Sequence, residues 1–86
     1  MFNSVILTIQ MEQSDIEFDM ELPTNIPGGE LCEKLLVIVR NFEDQVFHNI
    51  KKINLRIERS KKMLDDDQTL EDAEVWDGSI ITILEV

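Results

Sequence analysis

Met63-Leu64-Asp65-Asp66-Asp67-Gln68-Thr69-Leu70-Glu71-Asp72-Ala73-Glu74-Val75-Trp76-Asp77-Gly78-Ser79-Ile80-Ile81-Thr82-Ile83-Leu84-Glu85-Val86 is the stretch whose reading decides the fold. An apolar pair runs into an acidic turn. Thr69 then stands three residues before Asp72, the spacing of a capping box, and predicts one short helical turn. Asp77-Gly78 is a turn dipeptide whose glycine is free to take positive φ. Ser79 to Val86 reads as a strand. Ile81 and Ile83 are expected to face inward, and Ile80, Thr82 and Leu84 outward.

Working upstream, Ile53, Leu55 and Ile57 alternate with Asn54, Arg56 and Glu58, which predicts another strand. Lys62 to Leu64 has the length of a very short edge strand. Near the start, Val5, Leu7, Ile9 and Met11 repeat at every second position. After the polar turn Glu12-Gln13-Ser14-Asp15, the apolar residues Ile16, Phe18, Met20 and Leu22 alternate with Glu17, Asp19 and Glu21. Two strands so closely joined make an antiparallel hairpin. Pro23 ends the second, because it has no N–H for the ladder.

Between these halves the period changes. Leu31, Leu35, Ile38, Val39 and Phe42 recur at helical spacing, with Glu30, Glu33, Lys34 and Arg40 on the other side. Pro27 suits a first helical turn, and Glu30 complements the positive end of the helix dipole. The helix is expected from about Gly28 to Asn41. Phe42, Val46, Phe47 and Ile50 either extend it toward Asn49 or form a second short turn. The fold class is therefore α+β: a mixed sheet of four to five strands with one main helix across one face. The expected core is Val5, Leu7, Ile9, Phe18, Met20, Leu35, Ile38, Leu55, Ile57, Leu70, Ile81 and Ile83.

The 86 residues are expected to make a single domain, 1–86. A chain this size buries roughly 60–65% of its unfolded surface, enough for one modest core. The single cysteine, Cys32, excludes an internal disulfide and fits a reducing, cytoplasmic setting. The longest wholly apolar run, Leu35 to Val39, is far below the ~20 residues that span a bilayer. No basic segment precedes the first apolar residues as it would in a signal peptide. Net charge is −10, which argues against nucleic acid and anionic membrane as partners. Six of the eight basic residues, Lys51, Lys52, Arg56, Arg59, Lys61 and Lys62, fall within twelve positions. They read either as a solvated strand and turn among acidic neighbours or as a docking edge for an acidic protein.

No catalytic constellation emerges. His48 and Cys32 share no local pattern, and Cys32 flanks the apolar stripe of the helix as a semi-buried structural thiol. Asp65-Asp66-Asp67 lacks the alternation of a cation loop, since consecutive carboxylates point in different directions. Gly28-Gly29 lacks the Lys-Ser/Thr of a phosphate loop. No enzyme, cofactor or metal is expected.

The order of elements, the capped Thr69 turn and the terminal strand together resemble the ubiquitin-like, or β-grasp, superfamily. Within it the chain is most similar to the bacterial YukD/EsaB proteins. They share an acidic-hydrophobic strand running into Leu22-Pro23, an Ile26-Pro27 four residues on, and an Asp77-Gly78 turn before the last strand. The resemblance implies a cytosolic accessory component of the Gram-positive type VII (ESX/WXG-type) secretion machinery that is not conjugated to substrates. The sequence shows no Gly-Gly after its last strand, the carboxylate handle of ubiquitin, sulfur carriers and modifiers. An adaptor-type ubiquitin-like domain of a larger protein is the alternative.

The same resemblance maps the apolar recognition patch of ubiquitin onto unlike residues. Its central isoleucine matches Glu58, its histidine Thr82 and its valine Leu84, and its hairpin leucine falls in the polar turn Glu12 to Asp15. Burying a carboxylate there against an apolar partner costs from several tenths to about 3 kcal/mol. Ubiquitin receptors are thus expected not to read this surface. The candidate protein-binding residues are Ile6, Thr8, Arg56, Glu58, Trp76, Ile80, Thr82 and Leu84. Ile6, Ile80 and Leu84 are expected to form an apolar strip on the outer sheet face, beside Thr8, Thr82 and Arg56. Trp76 either covers the edge of the core or stands as an exposed anchor near the rim. The expected partner is a protein, either a membrane-embedded secretion component or a second copy.

Overall fold

Period-two runs become strands because alternate side chains leave the backbone on opposite faces. A computed structural model describes residues 3–12, 14–42 and 50–86, with the backbone alone at Phe42. Among these residues five strands form one mixed sheet: β1 (Ser4–Met11), β2 (Glu17–Pro23), β3 (Ile53–Ile57), β4 (Lys62–Met63) and β5 (Ile80–Glu85). Their order across the sheet is β2-β1-β5-β3-β4. β1 and β2 form the expected antiparallel hairpin, with Leu7 opposite Met20 and Ile9 opposite Phe18. β5 lies between β1 and β3, parallel to β1 and antiparallel to β3. The helix α1 (Gly28–Phe42) packs on one face, which gives the ubiquitin-like β-grasp fold. The choice between an end near Asn41 and an extension through Val46 and Phe47 falls on residues outside those described.

Residues from every part of the sequence meet in the core. Leu7, Ile9, Leu31, Leu35, Val39, Ile53, Leu55, Leu70, Ile81 and Ile83 are buried almost completely. The expected residues Val5, Phe18 and Met20 are only partly buried, packed at the margin of this cluster. One core assignment is wrong. Ile38 is 36% exposed, while Leu31 and Leu36, absent from the expected core, are buried. The helix meets the sheet along Leu31, Cys32, Leu35, Leu36 and Val39, and Ile38 falls on the flank of that stripe. Ile53, Leu64 and Val75 are also buried beyond expectation.

The acidic turn closes the start of the helix. The Gly28 N–H donates to the Gln68 carbonyl at 2.7 Å, and the Gly29 N–H to the Asp66 carbonyl at 3.0 Å. Two of the orphan donors of α1 are satisfied by this distant loop. A Cβ at Gly28 would lie 2.3 Å from the Asp65 carbonyl oxygen, so this approach requires glycine. Pro27 precedes the helix rather than opening its first turn, and its carbonyl accepts from the Leu31 N–H at 2.9 Å. The capping box forms as expected: the Asp72 N–H donates to Thr69 Oγ1 at 3.0 Å and the Thr69 N–H to Asp72 Oδ2 at 3.2 Å.

Candidate functional site

The outer face of the sheet carries every candidate binding residue from the strands. Pairing sets Thr8 beside Ile80 and Gln10 beside Thr82 on one side of β5. On the other side, Arg56 faces Thr82 and Asn54 faces Leu84. Ile6, Thr8, Ile80, Thr82, Leu84 and Arg56 therefore share this face, with Glu58 at the end of β3.

The centre of the face is an ion-paired polar cluster. The Thr82 hydroxyl donates to Glu58 Oε2. Arg56 Nε donates to the same oxygen at 2.8 Å, and Lys61 Nζ donates to Oε1 at 2.6 Å. A second nitrogen of Arg56 reaches Glu12 Oε2 at 3.1 Å. The bonds from Lys61, Thr82 and Arg56 hold the Glu58 carboxyl down to about 2. The bonds to Glu58 and Glu12 push the Arg56 guanidinium up. Thr82 points outward as its alternation demands, yet it is only 3% exposed because this cluster lies over it. It cannot be the open contact residue that the sequence suggests.

The apolar strip is consequently broken. Ile6 and Ile80 are exposed at one end of the sheet. Leu84 is half-buried at the other end, beyond Thr82. Trp76 joins the first end. The Ile6 N–H donates to Asp77 Oδ1 at 2.8 Å, and the Ile6 carbonyl accepts from the Gly78 N–H at 2.9 Å. These two bonds tie the Trp76-Asp77-Gly78 corner to β1. Trp76 is 52% exposed, which decides between its two readings in favour of an exposed residue. The Arg59 guanidinium lies over its ring, 4.3 Å from the centroid. A shallow groove of ≈ 400 Å³ is lined by Glu58, Arg59, Trp76 and Ile80. Arg59 was missing from the candidate set, since no local spacing links it to a tryptophan so far along the chain.

The run of basic residues is divided. Arg56 and Lys61 are engaged in the ion-paired cluster around Glu58, whereas Arg59 and Lys62 lie exposed around the β3–β4 turn. Lys51 and Lys52 line a separate groove of ≈ 390 Å³ with Cys32, Leu36, Ile53 and Asp66. There burial, aided by the Asp66 carboxylate and opposed by Lys52, pushes the Cys32 thiol up to about 11. It stays protonated near neutrality and is a poor nucleophile. His48, its only conceivable catalytic partner, lies outside the described residues. The side chains of Asp65, Asp66 and Asp67 are exposed, as a solvated turn requires.

Residues 4–83 match the family described as WXG100 protein secretion system (Wss), protein YukD. No curated protein sequence matches the chain. Among solved structures it is similar to the ubiquitin-like domain of the Mycobacterium tuberculosis type VII secretion system protein EccD1. That match has a TM-score of 0.74 at 19% identity and covers 98% of this chain and all of the other. A chain of the MycP5-free ESX-5 inner membrane complex is similar with a TM-score of 0.77 at 16% identity, over 99% of this chain and 21% of that one. A ubiquitin from Caldiarchaeum subterraneum gives 0.65 at 17% identity, over 96% and 94%. At such identities the structural likeness is one of fold.

Proposed function

This chain belongs to the YukD family of the WXG100 protein secretion system, and on that premise we propose that it is a non-conjugating, cytosolic protein-interaction module of a type VII secretion apparatus. In this reading it docks onto a protein component of the apparatus through the end of the outer sheet face formed by Ile6, Ile80 and Trp76. The observation that carries the proposal is the exposure of Trp76 and Ile80 in the lining of one groove. An aromatic anchor beside an aliphatic one is the composition of interface hot spots. The Glu58 cluster beside them supports a partner unlike ubiquitin receptors, because inserting an apolar group would strip three donors from a carboxylate.

Two further observations support the finer parts of this reading. The Val86 N–H donates to the Lys52 carbonyl at 3.2 Å, so hydrogen bonding to the segment before β3 continues one residue past β5. No helix among the described residues is long and apolar enough to cross a membrane.

The test is a pair of surface variants, Trp76→Ala and Ile80→Asp, in the host that carries the gene. Both should fold with unchanged thermal melts, lose co-purification with the apparatus component that the unaltered chain retains, and abolish secretion of the small substrates. Folded variants that keep both would refute the docking face. Adenylate or thioester formation with an activating enzyme and ATP would refute the non-conjugating reading.

A further inference from the structure

We propose that the open edge of β2 is a second docking site, which takes up an extended segment of a protein partner bearing lysine or arginine at alternate positions as a sixth strand of the sheet. Among the described residues β2 stands at one margin of the sheet and is paired only with β1. The pairing parity shows which of its peptide groups are free. The Thr8 N–H donates to Ser79 and the Ile6 carbonyl accepts from Gly78, so the even-numbered residues of β1 turn to β5. The odd-numbered ones turn to β2, as the bonds Met11 N–H to Ile16 and Thr24 N–H to Asn3 confirm at its two ends. Ile9 and Leu7 thus exchange hydrogen bonds with Phe18 and Met20. The peptide groups of Glu17, Asp19 and Glu21 point away from the sheet. Pro23, which has no N–H, falls in the same outward set, where its missing donor costs the ladder nothing.

An open edge of this length is a template for another strand, and proteins usually blunt it with lysines, a bulge or extreme shortness. The opposite edge is blunted in this way, since β4 is two residues long and includes Lys62. β2 is seven residues long and carries no basic residue. Its outer face presents Glu17, Asp19 and Glu21, all exposed. Each accepts a hydrogen bond from a neutral β1 side chain: Gln10 to Glu17 at 2.9 Å, Thr8 to Asp19 at 2.9 Å, and Ser4 to Glu21. These donors orient the carboxylates and leave their charge uncompensated. Among the described residues no ion pair reaches them.

The charge identifies the occupant. Two copies joined edge to edge at β2 would set carboxylate against carboxylate, which is destabilising across a strand pair. A strand with lysine or arginine at every second position meets all three, and the net charge of −10 draws it in. Its intervening side chains would turn to the helix side of the sheet, beside Met20, which is only partly buried. Recognition of this kind draws affinity from main-chain bonds and specificity from alternate side chains. It does not rest on the Trp76 end of the outer face.

The test uses the full chain and two synthetic peptides of about eight residues, the length of a strand that covers this edge. One alternates lysine with valine, and the other has glutamate in place of lysine. The lysine peptide should bind in a 1:1 complex, slow hydrogen exchange at the amides of Glu17, Asp19 and Glu21, and leave those of β3 and β4 unchanged. Asp19→Lys should weaken it about tenfold or more, the value of one charge-assisted contact. Trp76→Ala should leave its binding untouched, which separates this proposal from the docking face above. Asp19→Asn, which keeps the Thr8 hydrogen bond, provides the charge test should the lysine variant fail to fold. The proposal is overturned if the lysine peptide does not bind, if it binds without protecting those three amides, if the glutamate peptide binds equally well, or if the free chain is itself a dimer whose interface protects them.

Discussion

Thr82 on β5 donates its hydroxyl to Glu58, just beyond β3, and the threonine is buried although it points to the outside of the sheet. The contact splits the outer face. On one side lie Ile6, Ile80 and Trp76, on the other Leu84, and between them a carboxylate held by three donors. A ubiquitin-type apolar patch would need that middle ground to be apolar.

Hydrogen bonds from Lys61, Thr82 and Arg56 hold the folded Glu58 carboxyl down to about 2, from an ordinary value of 4.5. Its folded pKa is lowered, so the stability it contributes is complete above about pH 4.5 and is lost as pH falls toward 2. Glu58→Gln should melt below the unaltered chain at pH 6, and the gap should narrow steadily between pH 4.5 and 2. A gap independent of pH in parallel urea melts would mean that the charge contributes nothing.

Leu35 and Ile38 lie one helical turn apart and face different environments. Leu35 is fully buried and Ile38 is 36% exposed. Leu35→Ala should cost about 2–5 kcal/mol. Ile38→Ala should cost less than about 1 kcal/mol. Chemical denaturation of the two variants side by side checks the helix orientation, and equal losses would contradict it.

Adjacent glycines should also differ. A methyl at Gly28 meets the Asp65 carbonyl at 2.3 Å, whereas at Gly29 the nearest atom is an ordinary 3.5 Å away, on Asp66. Gly28→Ala should destabilise by about 1–3 kcal/mol as the acidic turn is forced off the helix. Gly29→Ala should be close to neutral or slightly stabilising. Thermal melts of both variants suffice.

Trp76 is the single tryptophan, so its fluorescence reports directly on the Arg59 contact. Arg59→Ala should leave stability within about 1 kcal/mol, as expected of an exposed cation–π pair. Acrylamide should then quench the emission more readily. Unchanged quenching would show that Arg59 does not shield the ring in solution.

Much of this protein is written in local periodicity. Alternation at Val5 to Met11 and Ile16 to Leu22 determines two strands and which side of each is wet. Thr69 and Asp72 specify their own turn, because a capping box closes within four residues. The spacing of Leu31, Leu35 and Val39 determines a helix, and those three residues do meet the core. Neighbouring residues alone set these features. What lies beside what is a different matter. Insertion of β5 between β1 and β3 is a tertiary event, and it brings Glu58 over Thr82, leaves Trp76 and Ile80 open, and leaves β2 as a long free edge. Alternation assigns a side chain to a face but not a cover to it. Thr82 was therefore legible as outward and not as buried. Likewise helical spacing marks an apolar stripe without its centre line, and only contact with the sheet decides that Leu36 is inside and Ile38 outside.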